Sequence, residues 1–69
     1  MKNIYRAETQ SDLLTHKQLV AIRNSANARR IDPVVESLEM LGCEPNELNR
    51  RGASVLITWL NRQPVRRVA

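Results

Sequence analysis

The stretch LNRRGASVLITWLNR, residues 48–62, decides the fold because it carries the signals of an amphipathic helix. Asn49 is a favoured N-cap residue, so a helix is predicted over residues 50–62, and Pro64 stops it. Apolar residues recur at intervals of three and four and form one face, with Trp59 alongside: Ala53, Leu56, Ile57 and Leu60. A helix with one apolar face must pack against other elements, so the rest of the chain has to supply them.

A first helix is marked upstream by the sequence LTHKQ, residues 14–18. Thr15 and Gln18 have the spacing of a capping box, in which each side chain accepts a hydrogen bond from the other residue's backbone N–H. An apolar stripe follows at helical spacing, formed by Leu19, Ile22 and Ala26. These signals predict a helix over about residues 16–29.

A second, shorter helix is marked at both of its ends. Asp32 is a good N-cap, and Pro33 suits the first helical position because its missing N–H has no partner there. Many helices are followed by a residue in the left-handed backbone conformation, and Gly42 suits that position. The pattern predicts a helix over residues 33–41 whose buried side consists of Val34, Val35, Leu38 and Leu41.

Three short helices with tight connections predict an all-α fold, a compact three-helix unit over residues 13–63. Residues 43–48 are expected to form an extended loop in which Leu48 anchors to the core. Residues 1–12 are polar and are predicted to form an N-terminal tail, with Tyr5 placed to tie it down. Residues 64–69 are predicted to form a basic C-terminal tail.

The length of 69 residues provides for one small domain. Its single cysteine, Cys43, excludes an internal disulfide and is expected to be a small buried apolar side chain. No apolar run approaches the roughly 20 residues of a membrane span, and the N-terminus lacks the apolar core of a signal peptide. We therefore expect a cytoplasmic protein without a membrane partner.

Charge is distributed unevenly along the chain. Residues 1–30 have a net charge of +4, residues 31–49 contain five acids and no base, and residues 50–69 contain five arginines and no acid. Arginine outnumbers lysine nine to two, which suits bidentate contact with phosphate or carboxylate. The alternative is that the acidic middle pairs with its basic neighbours within the chain.

The sequence contains little that supports catalysis. His16 is the sole histidine and lies at the start of a helix, with no acid or cysteine at metal-ligand spacing on the same face. No glycine-rich phosphate-binding pattern occurs. We expect a protein that is not an enzyme and has no catalytic residue, cofactor, metal or small-molecule substrate.

Arg50 and Arg51 occupy the first turn of the third helix, where cations oppose the helix dipole. A helix N-terminus with two arginines could bind an anion, either a backbone phosphate or a partner's carboxylate. The alternative is that Glu44 and Glu47, just upstream, neutralise the pair. The candidate residues for binding nucleic acid or another anion are Asn49, Arg50, Arg51, Arg62, Arg66 and Arg67.

The segment over residues 13–63 resembles a small helical module found at the C-termini of phage single-strand annealing recombinases and in other small phage and bacterial proteins. The module's pattern is Leu-Thr-x-x-Gln, an Ile, a Leu-or-Ile-Asp pair, then Leu-Thr-x-x-x-Ala-Ser-x-Leu-Ile-x-x-Leu. Asn49 stands where the module has Thr. The matching residues are Leu14, Thr15, Gln18, Ile22, Ile31, Asp32, Leu48, Asn49, Ala53, Ser54, Leu56, Ile57 and Leu60.

This resemblance implies a phage- or mobile-element-derived accessory module that works near DNA metabolism, without the large annealing domain of the recombinases. Two functions remain open. The first is a nucleic-acid-binding module that contacts backbone phosphates rather than reading sequence, since the third helix offers few base-reading side chains. The second is a protein-interaction adaptor or inhibitor that docks an acidic protein partner, for example the tail of a single-strand binding protein.

Self-association is a third possibility. A small core and narrow apolar stripes leave apolar side chains that a homodimer could cover, namely Val20, Val55 and Trp59.

Overall fold

A computed structural model describes residues 2–66. Its three helices are α1 (His16–Ala28), α2 (Pro33–Leu41) and α3 (Arg50–Arg62), with short 3-10 helices at Gln10–Asp12 and Pro45–Glu47. The predicted all-α, three-helix fold is confirmed, and the predicted bounds of α2 and α3 agree with the structure. The connection between these two helices is not wholly extended, since one 3-10 turn interrupts it.

Helices α1 and α3 pack side by side and run in the same direction. The amide of Gln18 donates to the backbone carbonyl of Arg50 over 3.1 Å, near the start of both helices. Further along, the hydroxyl of Ser25 donates to the side-chain carbonyl of Asn61 over 2.9 Å. The two helices are therefore parallel. Both helix N-termini lie at one end of the molecule, and both C-termini lie at the other.

The core lies between these two helices and is closed by α2 and its connection to α3. Leu48 is fully buried, as predicted for the anchor of the connection, and Cys43 is buried with it. Ile57, Trp59 and Tyr5 are partly buried against this core. Its buried apolar members are Ile22, Ala26, Leu41, Cys43, Leu48, Ala53, Leu56 and Leu60.

The prediction for the buried side of α2 is wrong at three of four positions. Leu41 is buried, but Val34, Val35 and Leu38 are 38%, 46% and 48% exposed. Ser37 faces the core instead and is fully buried. Its hydroxyl donates to the carbonyl of Cys43 over 2.7 Å, which satisfies a buried backbone acceptor just beyond the helix. Ser37 and Leu41 are four residues apart and therefore lie on the same face of α2. The hydrogen bond of Ser37 and the burial of Leu41 both turn this face toward the core.

The N-terminal segment, residues 2–14, is held at several points to the end of α2, the connection and the start of α3, so the predicted tail is attached to the domain through more than Tyr5. Tyr5 accepts a hydrogen bond at its carbonyl from the Asn49 backbone N–H over 2.8 Å. The Asn3 amide donates to the carbonyl of Leu41 over 2.6 Å. Residue pairs Arg6–Leu48 and Leu13–Asn49 form isolated antiparallel bridges. The docking satisfies backbone groups of the connection that no helix could satisfy.

Truncation of Leu41 to Ala should destabilise the protein much more than the same truncation of Leu38. Leu41 is 5% exposed, and its loss leaves a cavity that costs about 2–5 kcal/mol in the free energy of unfolding. Leu38 lies on the same helix, but its side chain is half in water, so we expect a cost of about 1 kcal/mol or less. Urea unfolding of both variants measures the difference, and equal costs would contradict the observed rotation of α2.

Gly52→Ala should lower the thermal unfolding midpoint, although alanine is the better helix former. A Cβ built at Gly52 would lie 2.7 Å from the carbonyl oxygen of Tyr5. This oxygen is a backbone atom that accepts a hydrogen bond from the backbone N–H of Asn49. The N-terminal segment must then move, and overpacking of this kind costs about 1–3 kcal/mol. Asn24→Ala on the exposed face of α1 is the control, and we expect its midpoint to stay level or rise. A Gly52→Ala midpoint at or above wild type would show that the segment is not held there.

Candidate anion-binding surface

Asn49 is occupied by structural hydrogen bonds. Its side-chain carbonyl accepts from the Gly52 backbone N–H over 2.7 Å, which confirms the predicted N-cap. Its side-chain amide donates to the carbonyl of Ile4 over 2.8 Å. Of the candidate residues, Asn49 is therefore a positioning residue that sets the start of α3, because its polar atoms are already used.

Arg50 and Arg51 are both exposed in the first turn of α3. They line a cleft of about 340 Å³ between this turn and the N-terminal segment. The cleft brings two further cations to the arginines, Lys2 and Arg6, which the sequence did not indicate. Its other lining residues are Asn3, Ile4, Glu8, Asp12 and Asn49.

Within residues 2–66, Glu44 and Glu47 do not neutralise these arginines, so this alternative is not observed. There, the carboxylate of Glu47 accepts from the Arg6 guanidinium over 2.8 Å and from the Glu44 backbone N–H over 3.0 Å. The second ion pair in this part of the chain joins Lys2 and Glu8 over 3.0 Å. Neither Arg50 nor Arg51 forms an ion pair with an acid in the described part of the protein.

The parallel packing of α1 and α3 strengthens the positive potential at this end. Each helix N-terminus carries a partial positive charge, and the two termini lie side by side. Lys17 is exposed in the first turn of α1, next to the Gln18 side chain that bridges to Arg50. We call this region the basic end; it consists of Lys2, Arg6, Lys17, Arg50 and Arg51. Lys2 and Arg6 are paired with Glu8 and Glu47, and Glu8 and Asp12 line the same cleft, so the cations of the helix N-termini supply the uncompensated charge. Sequence reasoning missed the first three members of the basic end because their proximity depends on chain packing.

The remaining candidate residues do not join the basic end. Arg62 is exposed in the last turn of α3, so its backbone lies roughly 18 Å from that of Arg50 along the helix. The backbone N–H of Arg66 donates to the carbonyl of Ala28 over 3.2 Å, beside the end of α1. Arg67 lies outside the described residues. The predicted single site is thus at least two separate basic regions.

No group of three or more His, Cys, Asp or Glu side chains within residues 2–66 could hold a metal ion. Burial raises the pKa of the Cys43 thiol, nearby Glu47 raises it further, and Arg6 lowers it. The net effect keeps Cys43 in its unreactive thiol form. Within residues 2–66, the helices lack the length and apolar character needed to cross a bilayer.

Comparisons with protein-family models, with curated proteins and with solved structures find no match to this chain.

Arg50→Ala and Arg51→Ala should keep or slightly raise the thermal unfolding midpoint. Each variant removes an exposed cation that opposes the dipole of α3 and has no acid partner among the described residues, a change of about 0.3–1 kcal/mol at most. Arg62→Ala is the matched control, since it removes a favourable cation from the last turn of the same helix and should lower the midpoint slightly. A fall of several degrees in either Arg50→Ala or Arg51→Ala would identify that arginine as structural.

Proposed function

We propose that the protein is a non-catalytic module that binds nucleic acid through backbone phosphates at the basic end. The observation that carries this proposal is the pair Arg50 and Arg51, exposed and unpaired with acids within residues 2–66, where two helix N-termini meet. Two cations at a helix N-terminus are unfavourable for the helix, and such an arrangement is expected where binding requires it. Guanidinium groups suit phosphate because they donate two parallel hydrogen bonds to it.

An extended polyanion fits this surface better than a small anion does. Helix α3 contains no acid, and it carries exposed arginines at both ends, roughly 18 Å apart. A nucleic-acid backbone can contact both regions, with Arg62 and Arg66 as secondary contacts. The side chains exposed between them are short, namely Ser54, Val55, Thr58 and Asn61. We therefore expect binding with little sequence preference.

The resemblance of residues 13–63 to the phage recombinase module supports an accessory role near DNA metabolism, without distinguishing a nucleic-acid partner from a protein partner. On this basis we propose an accessory role in phage or mobile-element DNA recombination, carried out in the cytoplasm. The cap and core residues that carry the resemblance position Arg50 and Arg51, but they do not themselves bind.

A second candidate is an adaptor that docks an acidic protein segment on the basic end. The same unpaired arginines favour it, because a carboxylate and a phosphate present similar acceptors to a guanidinium. A pull-down from lysate after nuclease treatment separates the two functions. One stoichiometric acidic protein, retained by wild type and lost with Arg50→Ala, would support the adaptor.

Binding of labelled single- and double-stranded DNA should weaken steeply with salt. Each phosphate contact contributes roughly 0.7–0.9 to the slope of log K against log salt concentration, because contact releases counterions. Arg50→Ala and Arg51→Ala should each reduce that slope by about one contact. Fluorescence anisotropy titrations at several salt concentrations measure both quantities.

Arg23→Ala is the matched control for these titrations. Arg23 is an exposed arginine of α1 that lines a different groove, beside Leu19 and Pro33. Arg23→Ala lowers the net charge by as much as Arg50→Ala or Arg51→Ala does. The slope of log K against log salt concentration should nevertheless stay close to that of wild type. No binding at about 50 mM salt and micromolar protein, or equal losses for all three variants, would overturn the proposed site.

A further inference from the structure

An apolar groove lies between the C-terminal half of α2 and the exposed side of α3, and it shares no lining residue with the cleft at the basic end. It encloses about 380 Å³ and is lined by Met40, Ser54, Val55, Thr58, Trp59 and Arg62. Met40 and Val55 are 37% and 36% exposed, although both are large apolar side chains. In a domain with so small a core, apolar groups left in water beside a partly buried Trp59 indicate a contact surface.

The two helices that form this groove have opposite charge. Helix α2 contains Glu36 and Glu39 and no base, whereas α3 contains three arginines and no acid. Glu36 lies one turn before Met40, so both residues are on the flank of α2 that borders the groove. Within residues 2–66, no ion pair joins α2 to α3, and both ion pairs there involve the N-terminal segment.

We propose that the groove is the interface of a homodimer, in which α2 of each copy lies on α3 of the other. Each copy offers one acidic, apolar helix and one basic, apolar helix, so a two-fold axis through the groove pairs the two kinds of helix twice. Met40 of one copy then covers Val55 and Trp59 of the second copy. Glu36 of one copy meets Arg62 of the second.

Charge selects this arrangement over the other symmetric ones. Pairing α2 with α2 would oppose two acidic helices, and pairing α3 with α3 would oppose two basic ones, and like charges at an interface are costly. Pairing α2 with α3 avoids both kinds of repulsion. In this dimer the surface from Ser54 to Arg62 is covered, so the secondary phosphate contact of Arg62 is available only in the monomer. Arg50 and Arg51 line a different cleft and stay exposed in both forms.

Sedimentation equilibrium from about 5 to 500 µM protein at low salt tests the proposal, since dimer population depends on protomer concentration. The mass of wild type should rise from 7.9 kDa toward twice that value. Arg62→Glu and Glu36→Lys should each abolish the rise. The double variant, with the charges exchanged, should restore it. Circular dichroism of each variant shows whether it is folded.

Two further variants keep the result interpretable. Arg23→Glu makes the same charge change as Arg62→Glu, but on another groove, and should leave the dimer intact. Met40→Lys places a charge in the apolar part of the interface without altering Glu36 or Arg62, and it should give a monomer. A wild-type monomer at every concentration, a dimer that survives Met40→Lys, or a double variant that fails to dimerise would overturn the proposal.

Discussion

The hydrogen bonds of Asn49 hold the rest of the structure in place. Its backbone N–H and its side-chain amide bind the carbonyls of Tyr5 and Ile4, while its side-chain carbonyl caps α3 at Gly52. One residue thereby starts the helix that supplies three of the eight buried apolar side chains of the core, and it ties down the N-terminal segment. Because Arg50 follows directly, the same bonds also fix the backbone position of the first cations of α3.

The basic end shows how stability and binding separate in a small domain. The core is made by side chains such as Ile22, Leu48 and Leu56, which are fully buried. The cations of the first turn of α3 contribute nothing to that core and oppose the helix dipole. Glu47, the acid best placed in sequence to offset them, is held by Arg6 and by the backbone of Glu44. The positive potential is therefore left for an external anion.

Local signals predicted the helices well, because a cap acts over three or four residues. Thr15, Asp32 and Asn49 all cap as expected, and Gly42 has the left-handed conformation. Interactions between distant residues were not predictable in the same way. Apolar residues surround α2 almost evenly, so periodicity could not reveal that Ser37 faces inward. Docking of the N-terminal segment depends on backbone hydrogen bonds, and the pattern of side chains along the sequence does not reveal these.

The parallel orientation of α1 and α3 connects the two proposals. Since α2 returns the chain from the C-terminal end of α1, Glu36 in its first turn lies toward that end of the molecule, whereas its last residue, Leu41, is bonded to Asn3 beside the basic end. A polyanion at Arg50 and Arg51 would be repelled by any acidic helix that faced it. Pairing α2 with α3 of a second copy places Glu36 against Arg62, at the C-terminal end of α3. Dimerisation would thus shield the acidic helix and leave two basic ends exposed, which increases the avidity for a long phosphate backbone.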